Sequence, residues 1–247
     1  MIERDEVVRW ARAWGVAEAQ VVKDHLISHL LHGLDGFSGV TFFGGTAINR
    51  TFVADRRVSE DIDLFIDPRH PTDPDAVIAA IAGGTRREFP DLRLEPVRQT
   101  ADVRTFAAVD SDTTVQVQIV GPRHEHKYVD VAPCLVRLRY SDLPDAVGLA
   151  VPTLPAFGAM KLAAWEERHA PRDLFDLDSL EKLGGLGDDA IAALRSLRGS
   201  APVRAEYEPA RCPSPDTWNA ELGHQTTDLS DPADILERVR DALFPNV

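Results

Sequence analysis

Two glycines and a threonine offer the groups that are needed to hold a phosphate. Gly44, Gly45 and Thr46 directly follow an apolar run, Val40–Phe43, that predicts a buried strand. A Gly-Gly turn after a buried strand lets backbone N–H groups approach an anion closely, and the threonine adds a hydroxyl donor. This segment is therefore a candidate phosphate cradle.

Two aspartates follow a few residues later, in the next predicted strand. Asp61 and Asp63 alternate there with the apolar residues Ile62, Leu64 and Ile66. Side chains two apart on a strand share a face about 7 Å apart, so the two carboxylates project together. Because neighbouring carboxylates repel each other, a divalent cation is their usual partner. A glycine turn and an Asp-x-Asp pair in this order, joined by a short helix, indicate a site for a metal-bound triphosphate.

The elements that must position these residues follow from the hydrophobic periodicity. The pattern predicts helices at residues 3–14, 17–34, 73–89, 155–169, 188–197 and 232–244, a short one from Thr46 and another from Pro171, and strands at 40–43, 61–66, 92–97, 103–109, 114–120 and 128–138. Residues 199–216 are expected to be irregular. We therefore predict an α+β fold, with a mixed sheet and flanking helices in residues 1–151 and a mainly helical half in residues 152–247.

Composition limits the possible partners. The 247 residues carry a formal charge of −13, which argues against loose binding to nucleic acid. It leaves room for RNA held by a local arginine patch, for which Arg56–Arg57, Arg86–Arg87 and Arg137–Arg139 are candidates.

Several features predict a cytoplasmic protein. Cys134 and Cys212 are far apart and form no paired motif, which suits a reducing compartment. The charged opening, Met1–Glu6, predicts no signal peptide, and no apolar run approaches the length of a membrane span.

Two histidine groups resemble metal ligands. His25, His29 and His32 share one face of a predicted helix, but no carboxylate or cysteine partner is evident, so we interpret them as a semi-exposed flank. His124, Glu125 and His126 alternate in a polar loop, a composition that is typical of solvated loops.

The chain resembles a known family at these motifs. Gly44–Thr46 followed by Arg57–Leu64 looks like the signature of the AbiEii/AbiGii toxin family, nucleotidyltransferases of the polymerase-beta-like superfamily that are related to the mycobacterial MenT toxins. Val22–Leu31, Pro155–Ala164 and Arg172–Leu177 are similar to further elements of that family. The resemblance covers most of the chain and weakens after about residue 200.

The resemblance implies roles for individual residues. The catalytic residues would be Asp61, Asp63, Lys161 and Asp173, and Asp61 and Asp63 would bind Mg²⁺ or Mn²⁺. The nucleotide-binding residues would be Gly44, Gly45, Thr46, Arg57, Ser59, Lys161 and Arg172. The polymerase-beta-like core would supply one wall of the active-site cleft, and the helical half would close it.

Structural alternatives stay open for several of these residues. In the structural alternative, Lys161 only extends its amine from an apolar helix face to solvent. Arg172 and Asp173 would then form a local ion pair. Ser59 would fix a turn through backbone hydrogen bonds, and Arg57 would hold either that turn or a phosphate.

The resemblance also implies a function. The protein would be a toxin of a toxin–antitoxin or phage-defence system that transfers nucleotides from an NTP to RNA, with the tRNA 3′ end as the expected acceptor and a separate antitoxin as a possible partner. Related enzymes often carry a third carboxylate on a later strand, where this chain has Gln116 and Gln118. An amide binds metal weakly and cannot act as a base. Asp173 would then supply that role, or two metal-binding carboxylates would suffice, or the enzyme would be weakened or inactive. Two alternative functions stay open: a nucleotide-binding module that acts through a protein partner, and transfer onto a protein hydroxyl, which differs only in the acceptor.

Overall fold

The structure is a computed structural model, which describes residues 2–53, 56–121 and 129–245. Those residues form nine α-helices and seven β-strands. They group into two compact units. Described residues up to 121, together with 131–151, form the first unit, and residues 129–130 with 152–245 form the second.

The first unit contains the sheet. Its elements, in chain order, are α1 (Arg4–Trp14), α2 (Glu18–His32), β1 (Val40–Phe43), α3 (Gly44–Arg50), β2 (Asp61–Ile66), α4 (Pro74–Thr85), β3 (Arg93–Gln99), β4 (Val103–Asp110), β5 (Thr113–Val120), β6 (Val131–Arg137) and β7 (Ala146–Pro152).

The seven strands form one mixed sheet in the order β3-β4-β5-β2-β1-β7-β6. β1 pairs antiparallel with β2 and parallel with β7, and β2 pairs parallel with β5. All four residues of β1 are buried, as expected for a central strand that is covered on both faces. The predicted α+β class, with a mixed sheet and flanking helices, is confirmed.

Strand β7 was absent from the prediction, although it lies beside the central strand. Val147, Leu149 and Val151 are buried, while the alternating positions are occupied by alanine and glycine. Alanine and glycine weaken the β-propensity signal of such a segment. Pairing with β1 therefore fixes this strand, which its own composition does not.

The second unit is helical. It contains α5 (Leu154–Arg168), α6 (Pro171–Glu181), α7 (Asp188–Arg198), α8 (Pro215–Leu222) and α9 (Pro232–Leu243), with two short 3₁₀ turns at Arg204–Tyr207 and Pro209–Arg211. Helix α8 starts where the sequence predicted an irregular connection to end. Ser214 accepts a hydrogen bond from the Thr217 amide and Pro215 occupies the first turn, so capping fixes this short helix.

A glycine allows α5 to pack closely against the turn after α6. A Cβ added to Gly158 would lie 2.0 Å from the Gly185 carbonyl oxygen. This contact explains a glycine in the middle of a helix, where it otherwise costs about 1 kcal/mol relative to alanine. It also fixes the position of Lys161, one turn further along α5.

Within the described residues, no helix has both the length and the apolar character that crossing a lipid bilayer requires.

Candidate active site

The predicted glycine turn forms the first residues of α3, so the helix begins at Gly44 and not at Thr46 as expected, and it meets the aspartate strand at the end of β1. Phe43, the last residue of β1, pairs with Asp63 of β2. The next residue, Gly44, has φ +81°, and a Cβ at this position would lie 2.3 Å from Asp63 Oδ2. Only glycine fits both the backbone conformation and the space beside the carboxylate. The structure therefore brings the first predicted cradle residue against the predicted metal-binding aspartate.

The two aspartates are partly exposed between buried neighbours. Asp61 and Asp63 alternate with the buried residues Ile62 and Leu64, as the sequence predicted. The carboxylates therefore project from one face of β2, where solvent and a ligand have access to them.

Two glutamines lie beside these aspartates in the sheet. The parallel register of β2 and β5 pairs Asp61 with Gln116 and Asp63 with Gln118. Residues in register on neighbouring strands share a face of the sheet, so an amide stands next to each carboxylate. Neither of the β5 residues in register with the two aspartates is a carboxylate.

Three other predicted nucleotide-binding residues support the loop that leads into β2. Thr46 is buried, and its hydroxyl donates to the backbone carbonyl of Asp61. Arg57 and Ser59 are also buried, and Arg57 Nη1 donates to Ser59 Oγ at 2.9 Å. Gly45 is the second residue of α3, and its carbonyl accepts from Asn49 Nδ2 at 2.8 Å. The Thr46 hydrogen bond ties α3 to β2, while the other two contacts brace the loop and α3 internally.

A buried ion-pair network anchors the other end of α3. Arg50 and Asp24 are both fully buried, and Arg50 Nη2 lies 2.8 Å from Asp24 Oδ1. Arg139 Nη1 lies 3.0 Å from the same oxygen, and the Tyr140 hydroxyl donates to Asp24 Oδ2 at 2.9 Å. Sequence reasoning missed this network, because its members are separated by up to 116 residues.

The network sets the charge state of Asp24. Burial by itself would raise the pKa of this carboxyl, but the guanidinium groups of Arg50 and Arg139 outweigh burial and lower the pKa. The aspartate is therefore ionised at neutral pH, as its two cationic partners require. Arg139, a candidate for RNA contacts, is occupied inside the protein, and Arg137 Nη2 donates to the Thr51 carbonyl at 2.9 Å.

In the second unit, Lys161 lies between two buried carboxylates. Its Nζ is 2.9 Å from Asp173 Oδ1 and 2.7 Å from Asp176 Oδ2. Arg168 Nε reaches Asp173 Oδ2 at 2.6 Å. The structure therefore brings together Lys161 and Asp173, two of the predicted site residues, with Asp176 and Arg168, which were not among them.

The cationic partners control the protonation of Asp173. Burial raises the pKa of its carboxyl, but Lys161 and Arg168 outweigh burial and lower the pKa. A carboxylate that holds its charge so firmly is a weak proton acceptor. This environment suits positioning of Lys161 better than general-base chemistry.

Arg172 lies apart from this cluster. Its side chain is 45% exposed, and its Nε is 3.8 Å from Glu221 Oε2 of α8. Consecutive helical residues do not share a face, which explains why Asp173 is buried while Arg172 is not.

The interpretation of His25 and His29 as a semi-exposed helix flank was wrong. Both side chains are buried, and both contact Asp142, a carboxylate more than 100 residues away in the sequence. His32 is only partly buried. The group His124, Glu125 and His126 lies outside the residues that the structure describes.

Comparison with known proteins defines the class. The family model described as "Nucleotidyl transferase AbiEii toxin, Type IV TA system" matches residues 30–243. The chain therefore belongs to the AbiEii nucleotidyltransferase toxin family, and it is an NTP-dependent nucleotidyltransferase. This match confirms the resemblance seen in the sequence. No curated protein sequence matches the chain significantly.

A solved structure shows the same fold. MenT4, a nucleotidyltransferase toxin of Mycobacterium tuberculosis, superposes with a TM-score of 0.68 at 16% identity, over 99% of this chain and 89% of that chain. Terminal uridylyl transferase 4 of Trypanosoma brucei, solved with bound UTP and UMP, matches with a TM-score of 0.28 at 14% identity, over 95% of this chain and 68% of that chain. The likeness to MenT4 supports the fold, and the second match is too distant to support an argument.

Proposed function

We propose that this toxin transfers a nucleotide from an NTP to RNA, with the tRNA 3′ end as the acceptor, and that Asp61 and Asp63 hold the metal ion for the reaction. The observation that carries the proposal is the contact between Gly44 and Asp63. Gly44 has φ +81° and leaves no room for a Cβ beside Asp63 Oδ2, so the backbone of the candidate phosphate cradle lies directly against a carboxylate of the candidate metal pair. A metal-bound triphosphate requires both groups side by side.

The residues present fit a hard divalent cation. Asp61 and Asp63 offer carboxylate oxygens from one face of β2, and both side chains are partly exposed. Mg²⁺ and Mn²⁺ prefer oxygen ligands and commonly bind one or two carboxylates together with substrate phosphates. A bound ion would neutralise charge on the triphosphate.

The chain's own residues would hold the nucleotide. Backbone N–H groups at Gly44 and Gly45 would contact phosphate oxygens, and Thr46 would fix this backbone against β2. Arg57 would add a positive charge that Ser59 orients. In the second unit, Lys161 would bind a phosphate, while Asp173 and Asp176 hold its amine in position. The Arg172 side chain is exposed. It would contact the nucleotide at a later stage of binding, or it would contact the acceptor.

The transfer moves one proton, which is that of the acceptor hydroxyl. The oxygen of the acceptor hydroxyl would attack the α-phosphorus, the bond from that phosphorus to the bridging oxygen would break, and pyrophosphate would leave with the electron pair. The hydroxyl proton would pass to solvent, because Gln118 is an amide and the pKa of Asp173 is lowered. Without a general base at Gln118 or Asp173, this arrangement predicts slow catalysis.

RNA is favoured over protein as the acceptor by the exposed arginines Arg86 and Arg87, which follow α4. With a net charge of −13 on the whole chain, RNA binding would depend on this local patch and on salt. A protein antitoxin would be the natural partner of such an enzyme. We place the reaction in the cytoplasm, where its NTP and RNA substrates are found.

The experiment is a label-transfer assay. The protein is incubated with Mg²⁺, each α-labelled NTP and total tRNA, beside Asp63→Asn and a sample with excess EDTA. We expect label on tRNA with the wild type alone, and a loss of at least 100-fold in the variant. Transfer that is equal in Asp63→Asn, or absent from every RNA with the wild type, would refute the proposal.

A second candidate function rests on Gln118. Because an amide stands beside Asp63, the chain is also suited to bind an NTP without turnover and to act through a protein partner. Calorimetry separates the two: NTP binding with no labelled product on tRNA or protein would favour the binding module. Label on a protein instead of RNA would identify a protein hydroxyl as the acceptor.

A further inference from the structure

Two histidines of α2 and one aspartate after β6 bring three metal-ligating atoms together in the first unit. His25 Nε2 and His29 Nε2 are 3.1 Å apart. Asp142 Oδ2 lies 3.0 Å from the first and 3.2 Å from the second. Both histidine side chains are buried, whereas the Asp142 side chain is 24% exposed. Among the described residues, this is the group of three histidine, cysteine or acidic side chains that converges closely enough to hold an ion.

The spacing of these atoms matches a tetrahedral metal site. At metal–ligand distances of about 2.0–2.1 Å, neighbouring ligand atoms of a tetrahedral Zn²⁺ site are about 3.3 Å apart. The three observed separations lie just below that value, so an ion needs only a slight spreading of the side chains. Solvent reaches the Asp142 side chain, so a water molecule would be the fourth ligand.

Protons satisfy these three contacts less well than a cation would. A neutral imidazole carries one N–H and one lone pair, and here the two Nε2 atoms lie close to each other and to the same carboxylate. If both Nε2 atoms carried a proton, both N–H groups could donate to Asp142, whose Oδ1 is also 3.2 Å from His25 Nε2, but the two hydrogens would crowd each other between nitrogens that are 3.1 Å apart. If one did, its single proton would have to serve both the other ring and Asp142, and the second ring would turn a lone pair toward the carboxylate. A cation at the centre attracts all three atoms at once.

The surroundings keep the two rings available as ligands. Burial lowers the pKa of His25, and burial together with the neighbouring His25 lowers the pKa of His29 to about 4. Neutral imidazole is the form that binds metal. Phe89 packs against both rings and excludes water from that side. The distance between ring centroids is 5.6 Å to His25 and 5.2 Å to His29.

We propose that His25, His29 and Asp142 bind one divalent transition-metal ion, for which Zn²⁺ is the best match. Two imidazoles and one carboxylate are a typical ligand set for Zn²⁺, whereas Mg²⁺ prefers oxygen alone. The site is therefore distinct in chemistry from the Asp61 and Asp63 pair.

The ion would clamp α2 to the segment that follows β6. Tyr140 lies two residues before Asp142, and its ring centroid is 4.9 Å from that of His25. Its hydroxyl donates a hydrogen bond to Asp24. Asp24 in turn pairs with Arg50 at the end of α3. Metal at this site would therefore stabilise the support on which the glycine turn rests, without touching the nucleotide.

The test is Zn²⁺ binding by the full chain after chelator treatment, measured by competition with a chromogenic chelator in Mg²⁺-free buffer. Wild type is compared with His29→Gln and Asp142→Asn. His32→Gln is the control on the same helix face, and Asp63→Asn reports any binding at the catalytic carboxylates. We expect one tight Zn²⁺ per chain for the wild type and for both controls, and an affinity at least tenfold weaker in the two site variants. Zn²⁺ should raise the Tm of the wild type and leave that of Asp142→Asn unchanged.

Co²⁺ provides a second readout that reports geometry. We expect the visible spectrum of four-coordinate Co²⁺ from the wild type and its loss from Asp142→Asn, which alters a partly exposed residue and keeps the test valid should His29→Gln fail to fold. Zn²⁺ binding that is no tighter in the wild type than in Asp142→Asn, or that disappears in Asp63→Asn, would overturn the proposal.

Discussion

The Asp63 carboxylate fills the space that a side chain on residue 44 would need: a Cβ on Gly44 would lie 2.3 Å from Asp63 Oδ2. The pairing of Phe43 with Asp63 makes this contact unavoidable, because Gly44 follows directly where β1 ends. The candidate phosphate cradle and the carboxylate pair are thus in direct contact. Changing either part displaces the other.

Replacing Gly44 with alanine is therefore expected to disable the enzyme. Gly44→Ala should lower nucleotidyl transfer at least tenfold, because Asp63 must move, and should destabilise the fold by about 1–2 kcal/mol through the positive φ. Gly36→Ala is the matched control, since Gly36 has φ +68° and no atom within 4 Å of an added Cβ. Denaturant unfolding and label transfer check both variants; equal activity losses would contradict the prediction.

The buried pair of Asp24 and Arg50 is expected to dominate the stability of the first unit. Asp24→Asn leaves Arg50 and Arg139 buried beside a neutral group, a loss of about 3–5 kcal/mol by comparison with other broken buried pairs. Asp67→Asn is the control: its partner Arg69 also lies 2.8 Å away but is 64% exposed, so less than about 1 kcal/mol should be lost. Urea unfolding measures both. A smaller loss for Asp24→Asn than for Asp67→Asn would refute the assignment.

Asp173 should make the protein less stable in acid. Its pKa is lowered in the folded state, so its ion pairs contribute fully above the unfolded value of about 3.9 and are lost as the pH falls through the lower folded value. The free energy of unfolding of Asp173→Asn should therefore fall less steeply than that of wild type below about pH 4. Asp189→Asn, at an exposed position of α7, should keep the wild-type slope. Parallel slopes for wild type and Asp173→Asn would exclude this role.

Asp176 is expected to act on the nucleotide through Lys161. Asp176→Asn removes the carboxylate 2.7 Å from Nζ, and it should raise the KM for NTP about tenfold with a smaller change in kcat. Asp178→Asn is the control on the same helix: Asp178 is equally buried but pairs with Lys182 and Arg238. Steady-state kinetics at varied NTP separate the two variants. An unchanged KM in Asp176→Asn, or an equal rise in Asp178→Asn, would show that Lys161 is not positioned in this way.

Gln118 should limit the affinity for metal. Gln118→Asp places a third carboxylate beside Asp63, and we expect at least a threefold decrease in the Mg²⁺ concentration that gives half-maximal transfer. Thr114→Asp adds the same charge to β5 outside its pairing with β2 and should leave that concentration unchanged. The measurement is a Mg²⁺ titration at saturating NTP. A matching decrease in both variants would indicate a general charge effect instead.

Local patterns determined much of the fold. The alternation in Asp61–Ile66 and the apolar run at Val40–Phe43 predicted the two central strands, because burial of one or both faces leaves a direct trace in the sequence. The same patterns predicted most helices and the α+β class. They failed at β7 and α8, where pairing and capping rather than hydrophobic periodicity define the element.

The sequence by itself predicted that Gly44 and Asp63 lie together, because a strand, a short helix and a second strand bring residues 19 apart into contact. It also marked Lys161 and Asp173, which are neighbours across two consecutive helices. Only the tertiary structure decided that Asp176 and Arg168 share that cluster, and that Asp142 completes the pair of histidines. Asp176 and Arg168 are close to Asp173 in the sequence, but which side chains converge on Lys161 depends on how α5 and α6 pack. Asp142 is more than 100 residues from the two histidines, and such a distance leaves no periodic signal.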